Sequence, residues 1–240
     1  MRILIVNDDG IDADGIKHLV NWARTKGKVS VFAPKFQQSG KSHSIEIHGA
    51  FEMKKVDPFG GIEAYSVDST PADCVRVAML GMKKQFDLVL SGINCGHNLG
   101  EDTHYSGTVG ACLEAAKAGT RAIAISADYR SFDNAVKNLD RIFDEIQRRK
   151  MLDVAQILNV NIPLDGDEIL ITRLGEAIYS DDFEFLPDGT IKPKLICLYN
   201  GRTNLEFDTD ATMTGHITIT PIRVDTTDFS ARDAILKNKC

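Results

Sequence analysis

Residues 1–34 read MRILIVNDDGIDADGIKHLVNWARTKGKVSVFAP, and the fold follows from this stretch. Arg2 to Val6 is an apolar stretch dominated by Ile, Leu and Val, the pattern of a strand buried on both faces. Gly10 to Gly15 forms a turn. Ile16, Leu19, Val20 and Ala23 then recur at helical spacing, and Gly27 stops the helix. Val29 to Ala33 is a second apolar strand, ended by Pro34. Strand, helix and strand within about 30 residues make a β-α-β unit, with parallel strands and a right-handed crossover.

The pattern repeats along the chain. Strands are expected at Ile62–Val67, Asp87–Leu90, Ala122–Ser126 and Leu158–Ile162. Helices are expected from Thr70-Pro71 to about Met82, over Thr108–Ala118, and over Ala135–Arg149. Beyond residue 165 the reading changes to strands at Glu168–Arg173, Thr190–Leu198 and His216–Pro221, with few helical segments. The chain therefore reads as an α/β core over residues 1–165 followed by a β-rich extension over 166–240.

Composition narrows the class. The 240 residues carry 34 acidic against 28 basic side chains, a net charge of -6, which gives no general attraction to nucleic acid or an anionic membrane. No stretch of about 20 apolar residues offers a transmembrane span, and the short N-terminal apolar run does not read as a signal peptide. Cys74, Cys95, Cys112, Cys197 and Cys240 form no CxxC pair, which points to reduced thiols in a cytoplasmic protein rather than a zinc site.

In a doubly wound sheet, ligands bind beyond the carboxyl ends of the strands. Asn7-Asp8-Asp9-Gly10 follows the first strand, Ser39-Gly40 lies in the loop after the second, and Ser91 to Gly100 follows Asp87–Leu90. Asp8 and Asp9 either cap a turn or hold a cation, since two carboxylates repel a phosphate unless a cation lies between. Hard oxygen ligands suit Mg²⁺, Mn²⁺ or Ca²⁺, and the neutral oxygens of Ser39 and Asn94 would complete the shell. Ser106-Gly107-Thr108-Val109-Gly110 opens a helix, where free N–H groups and the dipole favour an anion; an ordinary helix cap is the plainer reading. His104, His43 and His97 are each either a general acid or a solvated loop residue.

Taken together, these segments resemble the SurE family of survival-protein nucleotidases. The resemblance rests on Ile3 to Gly10, Ala33-Pro34 with Ser39-Gly40, Ser69 to Val75, Asp87 to Asn94 with Gly96, Asn98 and Gly100, and Tyr105 to Gly110. Leu158 to Pro163, Thr209-Asp210 and Ile217 to Pro221 extend it in the same order. It implies a Rossmann-like three-layer sandwich with a mostly parallel sheet and a β-rich C-terminal extension, together a single SurE-like domain over 1–240. It further implies a cytoplasmic 5'-nucleotidase that hydrolyses nucleoside 5'- and 3'-monophosphates, some members also acting on short polyphosphate. One divalent ion per subunit, Mg²⁺ or Mn²⁺, would sit on Asp8, Asp9, Ser39 and Asn94, with Asp8, Asp9 and Asn94 catalytic. Asn98, Ser106, Gly107 and Thr108 would contact phosphate, and an exchanged C-terminal arm would make a homodimer or homotetramer. The chain departs from the family at Asp14, where proline is common, and at Ser69, where glycine is.

Two other classes share parts of this pattern. A response-regulator receiver also begins with an apolar strand ending in paired acids that hold Mg²⁺, but its acceptor Asp has no counterpart where Asp87–Leu90 ends in Ser91. A non-catalytic nucleotide binder would use the same residues without releasing phosphate.

Overall fold

The computed structural model describes residues 1–237. Its elements run β1 (Arg2–Val6), α1 (Asp14–Ala23), β2 (Lys28–Pro34), β3 (Met53–Val56), β4 (Glu63–Val67), α2 (Pro71–Arg76), β5 (Leu88–Cys95), α3 (Gly107–Lys117), β6 (Ala122–Ala127), α4 (Asp133–Arg148), α5 (Met151–Val154), β7 (Ile157–Ile162), β8 (Ile169–Ile171), β9 (Tyr179–Phe185), β10 (Ile191–Cys197), α6 (Asp208–Met213), β11 (Ile217–Ile222) and α7 (Phe229–Lys237).

Nine strands form one sheet in the order β3-β4-β2-β1-β5-β6-β7-β11-β8. The six from β4 to β7 pair in parallel. Alternation along β1 builds the two cores: Ile3 and Ile5 face α1 and α4 on one side, while Leu4 and Val6 face α2 and α3 on the other. On α1, Ile16, Leu19, Val20 and Ala23 are all buried at the expected spacing. The result is helix, sheet and helix in three layers, an α/β fold as expected.

Because β2 lies on one side of β1 and β5 on the other, the strand order reverses at β1. That reversal opens a crevice at the carboxyl ends of β1 and β5.

Several local readings are corrected. The helix expected to reach Met82 is regular only over Pro71–Arg76 and continues as a π turn, Val77–Gly81. Strand β5 runs on to Cys95, with a register irregularity against β6 between Ser91 and Asn94. Beyond residue 165, β8 and β11 join the central sheet, β11 antiparallel to β7. This segment also carries α6 and α7, which sequence periodicity did not mark. Strands β9 and β10 form a separate two-stranded ribbon in which every residue is exposed.

Candidate active site

The acidic turn after β1 is tied down on every side. Buried Asn7 donates its amide to the Gly10 carbonyl at 2.8 Å, closing the turn, and Gly10 takes a φ of 104° that suits glycine. The Gln38 N–H donates to the Asp8 carbonyl at 2.7 Å, and Ile11 N–H to Pro34, so the loop after β2 is stitched to this turn.

Asp8 is 3 % exposed. The Thr108 hydroxyl donates to Oδ1 at 2.6 Å and the Thr108 N–H to Oδ2 at 3.3 Å. Gly107 packs against the same carboxylate: a Cβ added there would lie 3.0 Å from Asp8 Cβ and 3.1 Å from its Oδ2. Burial pushes the Asp8 carboxyl up to about 6; the Thr108 hydroxyl opposes this and neighbouring Asp9 adds to it. Asp9 is half-buried and is also raised by burial, against the pull of the Cys95 N–H, which donates to Oδ2 at 3.1 Å. The Gln37 amide spans from Asp9 Oδ1, at 3.5 Å, to Ser39 Oγ, at 3.1 Å. Ser39 itself is exposed at the rim.

Asn94 sits just past the irregularity in β5. Its Nδ2 donates to the Gly96 carbonyl at 2.7 Å, which fixes the amide and leaves Oδ1 as an available acceptor. Among the described residues neither Asp8 nor Asp9 forms an ion pair, and the Asn7 Oδ1 beneath them is buried without a partner. Two adjoining carboxylates, uncompensated and largely out of water, with neutral oxygens beside them, suit a hard divalent ion. No three Asp, Glu, His or Cys side chains converge among the described residues. The fit is therefore to an ion that keeps part of its shell for water or phosphate, as Mg²⁺ does.

At the start of α3, the Ser106 hydroxyl accepts from the Val109 N–H at 3.1 Å, a helix cap that leaves its O–H free to donate. The Gly107 N–H has no partner among the described residues. Thr108 differs from its expected role, since both its donors serve Asp8. Asn98 differs as well. It is 8 % exposed, its Nδ2 donates to Ser126 Oγ at 2.7 Å, and its backbone is gripped by Asn159 and Asn161. That geometry makes it a strut of the loop after β5.

The histidines separate. His97 is packed against the Ile162 carbonyl at 3.0 Å, and burial lowers its pKa, which keeps it neutral. His43 pairs at 2.8 Å with Glu114, a carboxylate 4 % exposed on α3. His104 is exposed, one residue from Tyr105 and two from Ser106, and lines a cavity of about 700 Å³ beside the site. An apolar groove of about 770 Å³ between Met151, Val154, Ile171 and Ile222 contains none of these residues.

Sequence reasoning missed the residues that hold the loops around the site. Buried Asp73 accepts from the Ser69 and Thr70 hydroxyls, the Glu46 N–H and Arg76. Buried Asp208 accepts from the N–H groups of Gly100 at 3.0 Å and Gly175 at 2.8 Å. Asn159 and Asn161, on one face of an otherwise apolar strand, were the one signal that could have been read.

Residues 3–181 match the family described as Survival protein SurE. The chain is 36% identical over 251 residues to 5'-nucleotidase SurE of Clostridium beijerinckii, covering 99% of this chain and 98% of that one. It is 38% identical over 248 residues to 5'-nucleotidase SurE of Legionella pneumophila, covering 97% and 95%. The crystal structure of the SurE protein from Aquifex aeolicus superposes with a TM-score of 0.83 at 32% identity, covering 99% of each chain.

Proposed function

The chain belongs to the SurE family of survival proteins, and on that premise we propose that it is a metal-dependent phosphomonoesterase, a 5'-nucleotidase that hydrolyses nucleoside 5'-monophosphates to nucleoside and phosphate. Nucleoside 3'-monophosphates and short polyphosphate are the further candidate substrates. The relatives named 5'-nucleotidase SurE support the reaction class. The observation that carries the reading is the buried, uncompensated Asp8–Asp9 pair facing the free donors of Ser106 and Gly107.

Asp8, Asp9, Ser39 and Asn94 would hold one divalent ion, Mg²⁺ or Mn²⁺. Bound there, the ion would supply charge neutralisation at the phosphoryl group and a more acidic water. The chain's own groups do the rest. Thr108 keeps Asp8 ionised and aimed. The Gly107 N–H and the Ser106 O–H hold phosphoryl oxygens at the positive end of the α3 dipole. Asp9, with one oxygen fixed by Cys95, takes the proton of the water that attacks phosphorus. The bond from phosphorus to the ribose oxygen breaks, and His104 gives that oxygen a proton. His43, engaged by Glu114, and Asn98, engaged by Ser126, position their loops.

The protein would work in the cytoplasm, with no nucleic acid or membrane partner. Among the described residues no helix is long and apolar enough to cross a membrane, and the four cysteines described, Cys74, Cys95, Cys112 and Cys197, are free; Cys240 lies outside the described residues. We also assign it a homodimeric or homotetrameric state built on the ribbon β9–β10 and on α7. A lone two-stranded ribbon is marginal in water, and this one exposes Phe183, Phe185, Ile191 and Leu195; α7 buries none of its residues.

Phosphate release from nucleoside monophosphates and polyphosphate, with Mg²⁺, Mn²⁺ or EDTA, tests the reading. Turnover that requires the ion and fails with EDTA is expected. EDTA-resistant turnover would overturn the metal assignment, and nucleotide binding without release would make the protein a binder.

A further inference from the structure

The loop between β2 and β3 carries Ser39 and then crosses the helices on one side of the sheet. At its far end the Thr70 hydroxyl donates to the Ser44 carbonyl at 2.7 Å, and buried Asp73 accepts the Glu46 N–H at 2.8 Å. In its middle, His43 pairs with Glu114 of α3 at 2.8 Å. The backbone there lies directly on α3 at Gly110, where an added Cβ would strike the Ser42 carbonyl and come within 3.0 Å of His43 Cα. These contacts anchor the loop. Ser42 does something different: it grips a second segment of the site.

Both donors of Ser42 go to the 3₁₀ turn Gly100–Tyr105. Its hydroxyl donates to the His104 carbonyl at 2.5 Å, and its N–H donates to the Tyr105 carbonyl at 3.0 Å. These two carbonyls end the turn, just before Ser106 caps α3. The start of the turn is held elsewhere, by the Gly100 N–H on Asp208 at 3.0 Å. The exposed His104 ring makes no hydrogen bond or ion pair among the described residues, so the backbone beneath it decides where the imidazole projects.

Ser42 reaches these carbonyls with a φ of 56°, in the left-handed region. Such a backbone is costly for most side chains and persists where the surroundings enforce it. Glycine would adopt it freely and would remove the hydroxyl alone, keeping the N–H.

We propose that Ser42 is a positioning residue of the phosphoryl site: its hydroxyl sets the end of the turn against the loop of Ser39, so that the His104 imidazole meets the oxygen leaving phosphorus. The inference rests on the reading of His104 as the proton donor. A donor works within hydrogen-bond reach of its oxygen, and a displacement of about 1 Å costs on the order of 100-fold. The effect of Ser42 must then depend on the leaving group. A ribose alkoxide needs the proton, whereas p-nitrophenolate is a far weaker base and leaves without it.

The test is kcat and KM for AMP and p-nitrophenyl phosphate in the unaltered protein and in Ser42→Gly, Ser42→Asn, His104→Ala and the Ser42→Gly/His104→Ala double variant. Ser42→Gly should leave Tm nearly unchanged, because relief of the left-handed backbone offsets the lost bond. It should lower kcat on AMP about tenfold, with KM and p-nitrophenyl phosphate turnover little altered. Asn tolerates a positive φ and donates from its side chain, so Ser42→Asn should recover most of the loss. In the His104→Ala background, Ser42→Gly should cost nothing further, since residues that act as one unit are not additive. An equal fall on both esters, or a full additional loss without His104, would overturn the proposal. Hydrogen exchange of residues 101–106 reads the hold on the turn directly and needs no turnover. Exchange about tenfold faster in Ser42→Gly is expected, and unchanged exchange would overturn the hold. If His104→Ala itself spares AMP, the proton-donor reading fails, and the proposed route with it. If the unaltered protein hydrolyses neither ester, the hydrolytic reading fails separately, and the exchange measurement decides whether Ser42 holds the turn.

Discussion

Thr108 grips Asp8 twice, its hydroxyl 2.6 Å from Oδ1 and its backbone N–H 3.3 Å from Oδ2, across 100 residues of sequence. The contact links the end of β1 to the first turn of α3 and brings the acidic turn and the phosphate cradle into one unit. It also explains how a carboxylate that is 3 % exposed can be kept ionised.

Removing that hydroxyl should loosen the ion site and leave the fold in place. Thr108→Val keeps the shape and the N–H, so Mn²⁺ affinity by calorimetry should fall about 10- to 100-fold, the usual effect of losing a partner behind a metal ligand. Thr108→Ser should restore most of it. Unchanged affinity in Thr108→Val would show that Asp8 needs no such support.

The pH dependence of the metal-free protein follows from Asp8. Its folded pKa, raised from 3.8 to about 6, means that the folded state binds the proton more tightly than the unfolded one. Stability in EDTA should therefore fall as pH rises from about 4 to about 6 and then level off. The fall should be roughly 3 kcal/mol, since each tenfold difference in proton affinity between the two states contributes about 1.4 kcal/mol. Asp8→Asn should remove the Asp8 share of this slope, leaving the smaller share of Asp9, which burial also raises, and should raise the Tm of the metal-free protein at pH 8, while losing any Mn²⁺-dependent gain in Tm. Thermal melts from pH 4 to 8 with and without Mn²⁺ read both effects.

Gly15 lets α1 press against β5. A Cβ there would fall 1.9 Å from the Ile93 carbonyl oxygen and 3.2 Å from Phe132, so helix or strand must move. Gly15→Ala should destabilise the protein by about 1–3 kcal/mol, the usual cost of overpacking, and should reduce activity in the folded fraction, because Ile93 adjoins Asn94. Urea denaturation and specific activity measured together check both. A variant with unaltered midpoint and activity would show that α1 shifts freely.

The exposed ribbon is expected to be covered by a second copy. Phe185 is 77% and Leu195 65% exposed. Phe185→Ser with Leu195→Ser should shift the mass measured by light scattering toward the monomer. No shift would place the interface elsewhere.

The chain's local periodicity determined most of the fold. Arg2–Val6, the apolar spacing on α1 and the Thr70-Pro71 cap each carry their reading within a few residues, because side-chain period depends only on backbone repeat. The same logic put Asp8, Asp9, Ser39, Asn94 and Ser106 on one rim. The sequence is least legible where local and distant contacts compete. Thr108 and Asn98 are polar residues in a glycine-rich rim, which marks an anion site as readily as it marks struts. Only partners such as Asp8 and Ser126, 100 and 28 residues away, separate the two. The tertiary structure also decided that β8 and β11 close the main sheet and that a cavity with two tyrosines and three acids adjoins the cradle. Those facts depend on strand order and on side chains meeting across long loops, and neither leaves a period in the sequence.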